Sequence, residues 1–313
     1  MSHGIFMQTH LLALSDFSGD ELTAFIERAI KLKKETQAGI DQRQLQGKTV
    51  CLLFEKPSTR TRVSFEAATY GLGGQVIFMS ARDSQLGRGE PLKDTARVLG
   101  RYVQGLVVRT FGQDAVEELA HYAGIPVINA LTDLYHPCQV LSDMMTVIEE
   151  KGPIKDLKIS WIGDGNNMAN TWIEAASLLG FQLSLACPDG FSPNHDILEK
   201  AQRRAPGLIE LVRDPMVAIA GADVVNVDVW ASMGQEAEQE KRIALFQDYQ
   251  LDSRLLQRAK ETAIVLHCLP AHRGEEVTEE VLEGPQSVIF DQAENKMHMH
   301  KALLEHFLAG PRK

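Results

Sequence analysis

The chain has 313 residues, enough for two domains of ordinary size and for a core that needs no disulfide or metal staple. Hydrophobic residues make up 44% and charged residues 24%, which excludes disordered, collagen-like and low-complexity classes. Lys and Arg number 32 against 42 Asp and Glu; the net charge of −10 argues against a nucleic-acid partner but leaves room for a local arginine pocket around a small anion.

The cysteines, Cys51, Cys138, Cys187 and Cys268, show no C-x-x-C spacing, so neither a zinc ribbon nor a dithiol redox motif is indicated. Reduced thiols of this kind predict a cytoplasmic protein. Met1–Gly4 lacks a basic region, Leu11–Leu14 is too short for a signal core, and no apolar run approaches the about 18 residues of a membrane span. No signal sequence and no membrane partner are expected.

In chain order, Ser18 and Glu21 have capping-box spacing, and Leu22, Phe25, Ile26, Ala29 and Ile30 then recur on one helical face. Strands are predicted at Thr49–Phe54, Gln75–Met79, Gly105–Arg109 and Pro126–Asn129. After a helix near Val140–Glu150, more are predicted at Lys158–Ile162, Gln182–Ala186, Ile209–Val212, Val224–Val227 and Ala263–Leu266, with a shorter candidate at Val288–Phe290. Helical patterns separate most of them, and a last helix is expected over His298–Leu308. Alternating short strands and helices predict an α/β fold with parallel sheets in two similar halves of about four strands each. The expected boundaries are a first domain over 1–140, a second over 141–290, and a C-terminal helix in 291–313 packing back on the first.

The unusual polar motifs all follow strands: Ser58–Arg62, Arg109, His136–Gln139, Gly163–Asn167, Asp228–Gly234 and His267–Pro270. In open α/β sheets ligands bind at the carboxyl ends of strands, so these motifs predict one active site in a cleft between the two domains.

Ser58 is a good N-cap for the helix it precedes, and the free N–H groups of that first turn favour an anion. The hydroxyls of Ser58, Thr59 and Thr61 and the guanidinium of Arg60 would complete a phosphate cradle. The plainer reading is a capped helix with surface arginines. His136 and Gln139 stand just past a strand, where both can contact a carbonyl oxygen or an amide nitrogen. Gly163-Asp164-Gly165-Asn166-Asn167 invites a dinucleotide-binding reading, which fails because Met168 stands where the third glycine belongs. Cys268 fits a small core hydrophobe, a thiol nucleophile or a substrate ligand. His298 and His300 alternate on a helix and so do not share a face; no metal or other cofactor is read from them.

Four of these motifs also carry a resemblance. Ser58-Thr59-Arg60-Thr61-Arg62 resembles the carbamoyl-phosphate motif of transcarbamylases, and His136-Pro137-Cys138-Gln139 and His267-Cys268-Leu269-Pro270 their second and third motifs. Asp228-Val229-Trp230-Ala231-Ser232-Met233-Gly234 is similar to the amino-acid-binding motif of ornithine carbamoyltransferases. The elements occur in family order and cover nearly the whole chain. The resemblance implies transfer of a carbamoyl group from carbamoyl phosphate to the δ-amine of L-ornithine, in arginine metabolism and without a cofactor. It implies a carbamoyl-phosphate-binding first domain and an ornithine-binding second one.

For catalysis it implies Arg60, Arg109, His136 and Cys268. Carbamoyl phosphate would be held by Ser58, Thr59, Arg60, Thr61, Arg109, His136 and Gln139, with Cys268 and the Leu269 carbonyl beside the reacting group. Gln85, in the polar loop Ser84–Pro91, would reach a neighbouring subunit's site, which implies a homotrimer or a multiple of trimers. Asn167, Asp228, Ser232 and Met233 would hold ornithine, and a cis peptide is expected before Pro270. Lys296 is also expected to bind carbamoyl phosphate; it stands where relatives usually carry Arg, keeping the charge and losing the bidentate fork. The competing readings are a transcarbamylase for another amine (aspartate, putrescine or N-acetylornithine) and a non-catalytic carbamoyl-phosphate-binding regulator.

Overall fold

Ser18 starts the first helix in the reciprocal way its spacing predicts: the Glu21 N–H donates to the Ser18 hydroxyl, and the Ser18 N–H donates to the Glu21 carboxylate at 2.8 Å. In the computed structural model, which describes residues 8–80, 85, 87, 89–231 and 239–309, this helix, α1, runs Gly19–Gln37 and buries Leu22, Phe25, Ile26, Ala29 and Leu32. The chain divides into two compact units, residues 1–138 with 297–313 and residues 139–296.

In the first unit α1 is followed by β1 (Thr49–Phe54), α2 (Thr59–Gly71), β2 (Gln75–Ser80), α3 (Leu92–Tyr102), β3 (Gly105–Arg109), α4 (Gln113–Ala123) and β4 (Val127–Leu131). The strands form a parallel sheet in the order β2-β1-β3-β4. The central β1 and β3 are buried almost end to end, as strands covered on both faces must be, whereas the edge strand β2 leaves Ile77 half exposed. Leu53, Leu106 and Val108 pack against Leu99 of α3 and Val116 and Leu119 of α4. The two helices approach so closely that a Cβ on Gly100 would lie 1.9 Å from the Ala123 carbonyl oxygen.

Helix α5 (Pro137–Lys151) begins in the first unit and continues in the second. There follow β5 (Lys158–Ile162), α6 (Asn167–Leu179), β6 (Gln182–Ala186), α7 (His195–Arg204), β7 (Ile209–Val212), α8 (Pro215–Ile219) and β8 (Val224–Val227). Then come α9 (Gln239–Phe246), α10 (Ser253–Leu256), β9 (Ile264–His267), α11 (Glu279–Leu282) and α12 (Ile289–Leu308). This second sheet is also parallel, with five strands in the order β7-β6-β5-β8-β9, one for each of the five longer runs predicted in this half. Its core gathers Ile162, Val225, Val227, Trp230 and Phe246.

Two expectations need correcting. Val288–Phe290 is not a strand: the β contact there is a single bridge between Val265 and Ser287, and Ile289 already opens α12. A short apolar run has no periodicity to separate strand from helix, and here the buried Ile289 belongs to a helical face. Consequently α12 is 20 residues long and starts well before His298. Its last part belongs to the first unit, where Lys301 donates to Thr36 and Gln42, Glu305 pairs with Arg28 at 2.7 Å, and the His300 ring stacks on Phe65. His298 and His300 are both buried. Among the described residues, no helix is long and apolar enough to cross a membrane.

Candidate active site

In each sheet the chain crosses first to one side of its opening strand and later to the other. The reversal falls between β1 and β3 in the first unit and between β5 and β8 in the second. The crevice at the carboxyl ends of such a pair is where an open α/β sheet takes its ligand.

In the first unit β1 and β3 pair in register to their last residues, Phe54 against Arg109. This sets Arg109, nearly buried, beside the turn that leads to Ser58. Ser58 is the N-cap of α2, its hydroxyl accepting the Thr61 N–H at 3.2 Å. Thr59 is exposed, Arg60 half-buried and Thr61 buried. The positive end of α2, unopposed by any acidic residue in its first turn, thus faces the reversal point together with two arginines. Arg62 is not part of this set: its guanidinium pairs with Glu66 at 2.9 Å and lies 3.7 Å over the Phe78 ring. His136, buried, follows β4 just before α5. Gln85, beyond β2, is exposed. Sequence reasoning passed over Lys56. It is buried, pairs with Asp133 beyond β4, and sits 4.3 Å over the Phe111 ring beyond β3. It therefore ties together the three loops that follow β1, β3 and β4, and its place beside Pro57-Ser58 was the available signal.

In the second unit the reversal point is acidic. Asp228 follows β8 and is buried. Its Oδ1 accepts the Val229 N–H at 2.8 Å and the Cys268 thiol at 3.1 Å, and its Oδ2 accepts the Asn166 side-chain N–H at 2.9 Å. Asn166 is the N-cap of α6: its other amide atom, Oδ1, accepts the N–H groups of Met168 and Ala169. Asn167, the expected ligand residue, opens α6 and is half-buried; Asn166, which sequence reasoning left unassigned, spans the gap from α6 to Asp228. The turn between β5 and α6 passes so near Pro193 that a Cβ on Gly165 would lie 2.2 Å from the Pro193 nitrogen. Cys268 stands beyond β9, whose His267 pairs in register with Val227, so the two strand ends deliver Cys268 to Asp228. Burial first, and then the adjacent Asp228 carboxylate, push the Cys268 thiol well above its ordinary value. The Leu269–Pro270 peptide is cis. Ser232 and Met233 lie outside the described residues.

Gln139 and Lys296 meet: the ammonium donates to the Gln139 Oε1 at 2.8 Å. Lys296 is buried rather than a surface residue. Beside them Asp143, wholly buried, accepts from the Gln139 and Gln292 carboxamides, each at 2.7 Å. Burial pushes the Asp143 carboxyl up to about 7, against the pull of these two donors and of Lys296. A second buried acid, Asp164, is raised to about 6, chiefly by burial, and pairs with Arg242 at 2.8 Å. Arg242 also donates to the Trp230 carbonyl, which links the turn after β5 to the segment after β8.

Asp228, His267 and Cys268 place an oxygen, a nitrogen and a sulfur within 4.8 Å of one another, a set that could be read as a metal centre. His267 argues otherwise. Its Nδ1 accepts the Leu269 N–H and its Nε2 meets Glu276 at 2.9 Å, so both ring nitrogens are engaged.

One crevice is cationic and built around a helix N-terminus; the other is a buried carboxylate framed by amides. Together they define an α/β protein with one half suited to a phosphate and the other to an ammonium group. Comparisons with known proteins agree. Residues 9–149 match the family model described as aspartate/ornithine carbamoyltransferase, carbamoyl-P binding domain, and residues 155–307 match that of the Asp/Orn binding domain. The chain is 65% identical to an ornithine carbamoyltransferase of Desulfotalea psychrophila over 96% of its own length and 100% of the other. Among solved structures it resembles the ornithine carbamoyltransferase from Pyrococcus furiosus, with 46% identity, TM-score 0.93 and coverage of 97% and 98% of the two chains. It likewise resembles the anabolic enzyme of that name from Campylobacter jejuni, with 43% identity, TM-score 0.91 and coverage of 97% and 100%. The chain belongs to the aspartate/ornithine carbamoyltransferase family.

Proposed function

We propose that the protein transfers the carbamoyl group of carbamoyl phosphate to the δ-amine of L-ornithine, giving L-citrulline and phosphate. The observation that carries the choice of amine is Asp228: a buried carboxylate whose hydrogen-bond donors among the described residues are all neutral. A buried charge without a counter-ion is costly, and the α-ammonium of an amino acid supplies one. Asn167 would take the α-carboxylate, and Ser232 and Met233 would complete the ornithine site.

In the first unit the phosphate would sit on the N–H groups of α2, with the Ser58, Thr59 and Thr61 hydroxyls and Arg60. Arg60, Arg109 and His136 would stabilise the oxyanion that forms as the neutral δ-amine attacks the carbonyl carbon, usually the dominant source of rate enhancement in acyl transfer. The C–O bond to phosphate then breaks, and the departing phosphate accepts the amine proton. Cys268, held as a neutral thiol, suits a hydrogen-bonding role beside the δ-amine with the Leu269 carbonyl, not a covalent one. Gln139, steadied by Lys296, would read the carbamoyl amide.

The same reading makes the protein a cytoplasmic homotrimer or a multiple of one, with Gln85 reaching a neighbour's site. In support, Val63 and Tyr70 on α2 and Ile77 on the edge strand β2 are large apolar side chains left exposed in the first unit. The test is citrulline formation by the purified protein, with ornithine, putrescine, N-acetylornithine and aspartate compared as acceptors. Ornithine should exceed the others by at least about 100-fold in kcat/KM, because a site built for polar groups rejects analogues that lack them. Carbamoyl-phosphate binding without turnover would mark a regulator instead.

A further inference from the structure

Gln139 sits at a point where its two possible orientations have opposite consequences. The carbamoyl group of the proposed substrate ends in an NH2, which donates hydrogen bonds. Gln139 can accept from it only through Oε1; turned by 180° it would set its own NH2 against the substrate's. A carboxamide has little intrinsic preference between these states, so something else must choose.

Two neighbours do. The Lys296 ammonium, which can only donate, lies 2.8 Å from Oε1, and the Asp143 Oδ1 lies 2.7 Å from Nε2. Gln139 and Asp143 stand one turn apart on α5, as do Gln292 and Lys296 on α12, and the four close into a square within the second unit. The same Oδ1 accepts from Gln292 at 2.7 Å. Gln292 in turn accepts the His267 N–H at 2.9 Å through its Oε1, which anchors the residue before Cys268. Asp143, Gln292 and Gln139 are each at most 2% exposed, so no solvent competes for these bonds.

We propose that Asp143 is a positioning residue for the transfer: its carboxyl group fixes the orientation of the Gln139 carboxamide, so that Oε1 stays available to the carbamoyl NH2. Through Gln292 it holds the His267–Cys268 turn at the same time. This rests on the carbamoyl-transfer reading above.

The test separates amide reading from phosphate holding. Acetyl phosphate keeps the phosphate and the carbonyl but carries a methyl group where carbamoyl phosphate has NH2. In the wild type, the KM for carbamoyl phosphate and the inhibition constant of acetyl phosphate are measured at fixed ornithine. Asp143→Leu, similar in branching and without an acceptor, should raise the carbamoyl-phosphate KM about tenfold, the usual cost of a misdirected hydrogen bond, while the acetyl-phosphate constant moves less than about twofold. Asp143→Asn, which keeps an acceptor at Oδ1, should restore discrimination to within about threefold of wild type. If the leucine variant is insoluble, Asp143→Ser, too short to reach Gln139, carries the same expectation. Equal changes in both constants, or unchanged discrimination in an active Leu or Ser variant, would overturn the proposal. A wild-type protein that makes no citrulline would instead overturn the reading on which it rests.

Discussion

Asp228 shows how much chemistry one carboxylate can be asked to organise. Its Oδ1 holds the Val229 N–H and the Cys268 thiol, and its Oδ2 holds Asn166. None of these donors carries charge, so the carboxylate remains the strongest partner available to a cation. Asp228→Asn keeps the shape and removes the charge. A hydrogen bond to a charged group is worth about 1.5–3 kcal/mol, so the ornithine KM should rise roughly 10- to 100-fold while the carbamoyl-phosphate constant stays within about twofold. Steady-state kinetics at varied ornithine and at varied carbamoyl phosphate give both values; an equal loss for both substrates would remove Asp228 from the ornithine site. The Asp228 and Cys268 motifs were legible in the sequence because they break the pattern of strand and loop. Asp143 was not. It stands inside an amphipathic helix, where an acid usually faces water, and only the approach of Gln292 and Lys296 from a segment about 150 residues away reveals it as buried. Lys296 was legible as a departure from Arg, and its burial against Gln139 was not.

Under the proposed function α2 and α6 act as ligand platforms, because their caps and the proposed sites share residues. Ser58 caps α2 at the cationic crevice, and Asn166 caps α6 at the acidic one. Asn166 is the more informative. Its Oδ1 takes the N–H groups of α6 while its Nδ2 donates to Asp228, so one side chain couples helix stability to the carboxylate's position. Asn166→Ala should therefore have two effects. Loss of the cap costs about 1 kcal/mol of stability, readable by urea denaturation. Loss of the Asp228 donor should raise the ornithine KM several-fold. Asn166→Ser can cap the helix but is too short to span to Asp228, so it should restore stability without restoring affinity. Full recovery of both would show that the bond to Asp228 is idle. The strands carried the clearest sequence signal: β1, β3, β5, β6, β7 and β8 lie where their short apolar runs predict, and all of these but the edge strand β7 are central parallel strands, apolar on both faces. The helix boundary at Ile289 escaped because Val288–Phe290 is too short to show a period, and the segment's role depends on what packs against it.

For the molecule as a whole, the buried acids make stability depend on pH in a direction opposite to that of surface ion pairs. Asp143 ionises near 7 in the folded state against 3.8 for the free side chain, because burial disfavours its charged form despite Gln139, Gln292 and Lys296 and with Asp228 opposing it too. Between these values the folded state keeps a proton that the unfolded chain releases, so this group's contribution falls as pH rises through the window and is fully unfavourable above it. Asp143→Asn has no such proton. Its stability relative to wild type should improve from pH 4 to pH 7 and then level off, while Asp164, raised to about 6 in both proteins, cancels from the comparison. Denaturation of the two proteins across that range checks the sign; a constant difference would mean that Asp143 is ionised throughout. Assembly is the other property of the whole molecule. Gln85 is exposed beyond the edge strand β2, and Val63, Tyr70 and Ile77 of α2 and β2 are exposed as well. If Gln85 completes a neighbour's site, Gln85→Ala and Arg60→Ala damage different chains of one shared site. Each homomer should be nearly inactive. When the two are dissociated, mixed equally and reassembled, a site that takes its Arg60 from a Gln85→Ala chain and its Gln85 from an Arg60→Ala chain is intact. Random mixing in a closed ring gives about one such site in four. Citrulline formation should then recover to roughly a quarter of wild type, with hybrid composition verified by native mass spectrometry. Hybrids as inactive as their parents would place Gln85 in its own chain's site or outside any site.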